Sequence, residues 1–325
     1  MINNLQLLRL AAAINVVLSH VALTGQSYGF STSIIGFWKG WGGNGVDLFF
    51  VLSGFIMVYT QNRESRSAFT FALNRVIRVV PLYWICTLSL LALFTLMPSV
   101  FRNFSVDATH VLYSLPFLSQ LLRGENPAIG LGWTLEIELL FYLVFSLSLL
   151  ARNKAFSYVL LFTTLATLSL WVNQLMIEFV FGMIAAFIYL HRRLPNILGA
   201  LLLLSGIGLL IASGFEVWSL HRPILFGLPG MLIVIGAANM WQANGKKLMY
   251  IGASSYSIYL IQIFTISPLF KLANTLNVSI DGNVLGLLAA LFTVSCGVGL
   301  FTLIERPVTK LLRGSKIRNL SPEAG

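Results

Sequence analysis

The chain has 325 residues, of which 57% are hydrophobic and only 10% charged, and its mean hydropathy is +0.84. A soluble domain carries roughly 25% charged residues, so this composition excludes a water-covered globule of this size and points to the bilayer as solvent. The net charge of +10 would suggest nucleic acid in a soluble protein; here its distribution along the chain reads as a topology signal, and no nucleic-acid partner is expected.

Spanning a bilayer as a helix takes about 20 mostly apolar residues. In chain order the apolar runs predict an all-α, polytopic transmembrane bundle of about ten spans, at 5–24, 45–61, 76–97, 133–151, 156–172, 174–191, 196–213, 223–241, 249–271 and 283–305. The apolar stretch from Val111 to Leu122 is too short to cross and reads as a re-entrant or interfacial helix. Cys86 and Cys296 lie inside apolar runs and read as small hydrophobes; no metal-type Cys/His spacing is present, and no metal is expected. The whole chain, 1–325, reads as one transmembrane domain with a basic tail over 306–325.

Ten spans put both termini on one side. With that side inside, sixteen of the 21 Lys and Arg residues fall on the cytoplasmic face, and five (Lys39, Arg102, Arg123, Arg222 and Lys271) fall outside. The positive-inside bias therefore supports a topology with both termini cytoplasmic.

Ionisable groups inside spans are costly and mark function. Arg9 and His20, eleven residues apart on the first span, return to nearly the same helix face with a rise of about 16 Å. Asp47 opens the second span in the run Gly45-Val46-Asp47-Leu48-Phe49-Phe50-Val51-Leu52-Ser53-Gly54-Phe55. It is either a helix N-cap carboxylate or an acid that orients His20. Ser53, a conceivable nucleophile, reads as packing. Arg75 and Arg78 share a face of the third span, ahead of Pro81 and Tyr83, and arginine forks suit phosphate oxygens. Thr134, Glu138 and Tyr142 share a face of the fourth span, which begins at Trp133; Glu136 points elsewhere, toward the interface. Ser255, Tyr259 and Gln262 form a polar stripe on the ninth span. Glu178 looks buried and has no evident role, and His110, His191 and His221 read as bystanders in loops or interfaces.

Together these pieces resemble the integral-membrane acyltransferase-3 family of O-antigen, exopolysaccharide and Nod-factor acetylases. The matching segments run in order along the chain: Arg9 to His20, Gly45 to Phe55, Arg75-x-x-Arg78-x-x-Pro81-x-Tyr83, Trp133-Thr134-Leu135 with Glu138 and Phe141-Tyr142, Ser255 to Leu260, and Glu305-Arg306-Pro307. In many members a histidine stands where this chain has Gln262, which leaves His20 as the sole candidate for intramembrane acid–base work. No esterase-like domain is expected after the last span, which would be similar to the stand-alone exopolysaccharide acetylases.

The resemblance implies a bacterial inner-membrane enzyme. Its donor would be acyl-CoA, by default acetyl-CoA, and its acceptor a saccharide hydroxyl on a polysaccharide or lipid-linked glycan. On that expectation Arg75 and Arg78, with Arg9, hold the phosphorylated carrier at the inner mouth. His20, oriented by Asp47 or Glu138, deprotonates the hydroxyl or itself accepts the acyl group. Trp133, Tyr142, Ser255, Tyr259 and Gln262 face the acceptor or the oxyanion. A small hydrophobic metabolite as acceptor, and a transporter or flippase, are the alternatives.

Overall fold

The computed structural model describes residues 2–97, 107–215 and 220–319, with side chains to 314. The outer-set Arg102 and the tail from 320 lie outside the described residues. Among the described residues every regular element is helical. The elements are α1 (Asn3–Ser27), α2 (Trp38–Trp41), α3 (Asn44–Arg63), α4 (Ala68–Leu96), α5 (Ala108–Ser114), α6 (Ser119–Arg123), α7 (Gly132–Ser148), α8 (Lys154–Trp171), α9 (Met176–His191), α10 (Asn196–Ser213), α11 (Leu228–Asn239), α12 (Lys246–Ala253), α13 (Ser255–Thr275), α14 (Gly282–Leu300) and α15 (Arg306–Asn319).

A helix stands at each of the ten expected segments. Six helices are long and apolar enough to cross a membrane, and seven if the bent pair Ile35–Trp41 and Asn44–Arg63 counts as one span. The helices Met176–His191 and Pro223–Asn239 are apolar but shorter. Several helix starts follow from local chemistry. Ser67 accepts from the Thr70 amide, Asn153 from those of Ala155 and Phe156, and Asp281 from those of Asn283 and Val284, each relieving orphan N–H groups of a first turn.

Three expectations are corrected. The ninth segment is broken at Ser254 into α12 and α13. The last helix does not stop at Glu305-Arg306-Pro307; it passes through a wide π turn, Phe301–Glu305, into α15. Pro307 is tolerated there because it falls in the first turn after that break, where its missing N–H and fixed φ cost little. The segment 111–122 is not one helix but parts of α5 and α6, joined through Phe117, which adopts a positive φ of 62° and packs its ring on Tyr83 at 4.4 Å.

Without a hydrophobic drive between helices in lipid, close approach of small residues holds a bundle together. The closest crossing is α3 on α9. A Cβ on Gly182 would stand 1.9 Å from the Val51 carbonyl oxygen, and one on Gly54 would stand 2.1 Å from that of Phe179. The same device seats α3 on α1, where a Cβ on Gly45 would meet the Ala12 carbonyl at 2.3 Å. These contacts fix the register in which polar side chains of α1, α3 and α9 face one another. The 52° bend before α3 is held by a network between Asn15, Asn44, Trp38 and Trp41: Trp38 Nε1 donates to Asn15 Oδ1 (3.1 Å), Asn15 Nδ2 to Asn44 Oδ1 (3.1 Å) and Asn44 Nδ2 to the Trp41 carbonyl (2.7 Å).

Gly182→Ala should destabilise the purified protein by about 1–3 kcal/mol, the usual cost of overpacking a tight contact. Gly208→Ala, whose Cβ would meet nothing within 4 Å, should not lower the unfolding midpoint. Thermal unfolding monitored by monodispersity in detergent checks both.

Candidate functional site

The polar side chains converge on one cleft between α1, α3, α4, α7 and α13, with about 740 Å³ of empty space including its open mouth. Arg9, Arg75, Arg78, Ser53, Thr134, Glu138, Tyr142, Tyr256 and Tyr259 line it, with Val46, Phe49, Phe50, Leu52, Ile56, Met57, Val79 and Leu135 as its apolar wall.

The carboxylate of Glu138 is clamped. Ser53 Oγ donates to its Oε1 at 2.7 Å, and the Tyr142 hydroxyl donates to the same oxygen. Ser53, read from sequence as packing, is therefore part of the site. Arg75 is 8% exposed and sits over the rings of Phe71 (5.6 Å) and Tyr142 (5.7 Å). Its buried Nε has no hydrogen-bond partner among the described residues. Arg9 lies within electrostatic reach of Arg78, Glu138 and Glu305. Glu305 itself accepts from Ser257 at 2.5 Å. Three guanidinium groups and one clamped carboxylate in an apolar enclosure give a net positive chamber, suited to a multiply charged anion with a less polar portion.

Above this chamber the Tyr259 hydroxyl stands 2.8 Å from Thr134 Oγ1 and donates to the Leu131 carbonyl at 3.1 Å. The Tyr259 ring meets Phe49 edge to face at 6.2 Å. One turn further along α13, Gln262 donates through Nε2 to the Tyr259 carbonyl at 2.7 Å. Its Oε1 is thereby turned toward His20 without closing a regular hydrogen bond to it.

His20 is not among the residues lining the cleft, and neither Asp47 nor Glu138 is its hydrogen-bond partner. Its Nδ1 lies 2.9 Å from the Val16 carbonyl oxygen, one helical turn back. A carbonyl only accepts, so Nδ1 carries the proton and Nε2 keeps its lone pair. The expected carboxylate orienter is replaced by the helix's own backbone. Asp47 is engaged elsewhere: fully buried, it accepts from Arg222 Nε and Nη2, both at 2.9 Å. Beside it lies Glu178, also fully buried, which faces Asp47 and Arg222 and takes no hydrogen bond from any other described residue. The sequence marked Arg222 only as an outer-side cation; no local spacing links it to residue 47.

The remaining expected residues divide. Trp133 packs on the core rather than lining the cleft. Ser255 is fully buried, with an unpartnered Oγ, at the start of α13. Glu136 is buried rather than interfacial: its two oxygens accept from the amides of Ser119 (3.1 Å) and Gln120 (2.8 Å), capping α6. His110 binds the Asn126 carbonyl through Nε2 at 2.9 Å, a structural role in the α5–α7 connection. Among the described residues no cluster of His, Cys, Asp and Glu could hold a metal ion.

Replacing Arg222 by Met leaves two adjacent buried carboxyl groups without a cation. The loss should be about 3 kcal/mol, the low end for a broken buried pair, because Arg222 keeps 35% of its side chain exposed. Glu178→Gln added to that variant removes one of the two repelling carboxyls and should restore part of the unfolding midpoint, which a thermal double-mutant cycle measures.

A family model described as an acyltransferase domain, of the acyltransferase-3 type, matches residues 2–304. The chain is 31% identical over 301 residues to the exopolysaccharide production protein ExoZ of Rhizobium meliloti (strain 1021), covering 85% of this chain and 92% of that protein. No solved structure matches the chain. With the match running almost end to end through the helices that build the cleft, the chain belongs to the acyltransferase-3 family of integral membrane proteins.

Proposed function

We propose that this protein is a membrane O-acyltransferase of the bacterial inner membrane. It moves an acyl group, acetyl by default, from cytoplasmic acyl-CoA to a sugar hydroxyl of an exopolysaccharide or its lipid-linked precursor. One observation carries this reading: Arg9, Arg75 and Arg78 share a cleft with the clamped carboxylate of Glu138 inside an apolar bundle. Exopolysaccharide as the acceptor class is supported by the similarity to the exopolysaccharide production protein ExoZ. The reading includes the ten-span arrangement with both termini cytoplasmic, supported by the cation bias and by a helix at each expected segment.

Acyl transfer from a thioester needs a carrier site, a base for the hydroxyl and donors for the oxyanion. The arginines supply the carrier site. The thioester arm runs from them past Tyr259 toward His20. The acceptor hydroxyl loses its proton to His20 Nε2 as its oxygen attacks the thioester carbonyl. The C–S bond then breaks and the thiolate takes the proton back from His20, so no net proton is produced. Tyr259 and Thr134, whose hydroxyls meet in the cleft, are the oxyanion donors once they rotate from each other and from the Leu131 carbonyl. Gln262 Oε1, turned toward the imidazole, is placed to accept from Nε2–H once that proton arrives.

The test is mass spectrometry of cell-surface glycan from a deletion strain complemented with wild type, His20→Ala or Arg78→Ala at equal protein level. An acyl mass should disappear on deletion and return with wild type. His20→Ala should restore no more than about a hundredth of it, since a missing general base costs about 10²–10⁴-fold, and Arg78→Ala, which weakens the carrier site, should restore less than wild type. An unchanged glycan on deletion contradicts the acceptor class, and full restoration by His20→Ala contradicts the assigned base.

A further inference from the structure

The ends of α3 and α9 that the cation bias assigns to the cytoplasm carry a second group of arginines, outside the cleft. The Tyr59 and Tyr189 rings meet edge to face at 5.9 Å, and both pack on the fully buried ring of Phe55, at 6.0 and 5.6 Å. Each tyrosine carries a guanidinium. Arg63 lies 5.8 Å from the Tyr59 ring centre and donates through Nη1 to its hydroxyl at 3.1 Å. Arg193 lies over the Tyr189 ring at 4.1 Å. The four side chains form one ladder, Arg63–Tyr59–Tyr189–Arg193, with a cation at each end. Among the described residues no carboxylate lies within ion-pair distance of either cation. Both arginines are exposed, whereas Tyr189 is buried and Tyr59 half-buried. The rings hold the guanidinium groups in place and leave their outer faces and remaining N–H donors to a ligand.

The ladder is also aligned with the cleft. Arg63 follows Leu52 by eleven residues and Ile56 by seven, so it returns to within about 20° of their helix face, about 16 and 10 Å further along α3. Leu52 and Ile56 both line the cleft. A ligand that leaves the cleft along this face of α3 meets Arg63 first. Two cations on aromatic supports suit a ligand that joins phosphate to a planar base: the phosphate takes the guanidinium N–H groups, and the base stacks on the outer face of a guanidinium. We propose that Arg63 and Arg193 form a subsite for the adenosine 3′,5′-bisphosphate end of the acyl-CoA donor, while the arginines of the cleft hold the rest of the carrier. The inference rests on the acyl-CoA reading above and extends it to two helix ends which that reading does not use. An anionic lipid headgroup offers the phosphate without the base, and the alignment of Arg63 with Leu52 and Ile56 favours a ligand that comes from the cleft.

The experiment is equilibrium binding to the purified full chain in nanodiscs of zwitterionic lipid, without and with added anionic lipid. The probes are CoA and 4′-phosphopantetheine, which is CoA without that nucleotide. Wild type, Arg63→Ser, Arg193→Ser, the double variant and Arg192→Ser are compared. Arg192, exposed beside Arg193, controls for loss of one positive charge. Wild type and Arg192→Ser should bind CoA at least about tenfold more tightly than 4′-phosphopantetheine. Each single variant should lose about threefold of that preference and the double variant about tenfold, the range of two exposed charge contacts that add. Affinity for 4′-phosphopantetheine should stay at the wild-type value and so report an intact cleft. Preference retained in the double variant overturns the subsite, as does an equal loss for both probes or an equal loss of preference in Arg192→Ser. Retained preference together with less anionic lipid held by the double variant assigns the ladder to a headgroup instead. Each of these outcomes leaves the donor reading intact. Wild type that binds neither probe overturns the donor reading and the subsite with it.

Discussion

Charge inside an apolar bundle must be balanced, and the organisation of this protein depends on how that is done. Arg9 on α1 and the pair Arg75 and Arg78 on α4 meet in the cleft the carboxylate of Glu138, whose Oε1 is held by two hydroxyls, with Glu305 in electrostatic reach of Arg9 and Arg78. The balance is incomplete on the cationic side, where the buried Nε of Arg75 has no hydrogen-bond partner among the described residues. Water would satisfy such a site at little gain; a phosphorylated carrier, the proposed donor, would satisfy it with charge-assisted contacts in a region of low dielectric. Toward the other end of α3 the imbalance is reversed, with Asp47 and Glu178 facing the single cation Arg222. The two clusters make α3 a helix with opposite electrostatic tasks at its two ends.

Backbone packing sets the positions of both clusters. The glycine contacts of α3 with α9 and α1 leave no room for a methyl group, so the helices cannot slide by a turn without collision. Asp47 and Glu178 are brought side by side by the same crossing that joins Gly54 to Phe179 and Gly182 to Val51. Phe50 and Phe179, with ring centroids 4.8 Å apart, fill the space between. Register fixed by backbone contact is a better support for buried charge than flexible side-chain packing, because a displacement of even 1 Å would leave a charged group unpaired.

Residues that share one helix were legible as groups. The i, i+3 pair Arg75 and Arg78 lines the cleft, as do Thr134, Glu138 and Tyr142 at i, i+4, i+8, because helical periodicity alone places them together. Partnerships between helices were less legible. The acid expected to orient His20 is bound to Arg222, 175 residues away in the chain, and the imidazole is oriented instead by a carbonyl one turn back. A backbone carbonyl leaves no signature in sequence, and neither does the hydroxyl of Ser53, which resembles any small packing residue until Glu138 is seen beside it. Glu136 and Glu138 are two residues apart and face opposite ways. Sequence separated their faces, but the burial of Glu136 was missed because its partners are amides at the start of α6, and a backbone amide leaves no signature in sequence.

The central claim is that the arginine-lined cleft is the donor site, and a structure of the full protein in nanodiscs with acetyl-CoA tests it most directly. The account predicts phosphate density against Arg75 and Arg78, with the thioester end directed past Tyr259 toward His20. Nucleotide density away from these arginines, with the cleft occupied by lipid or glycan, would contradict it.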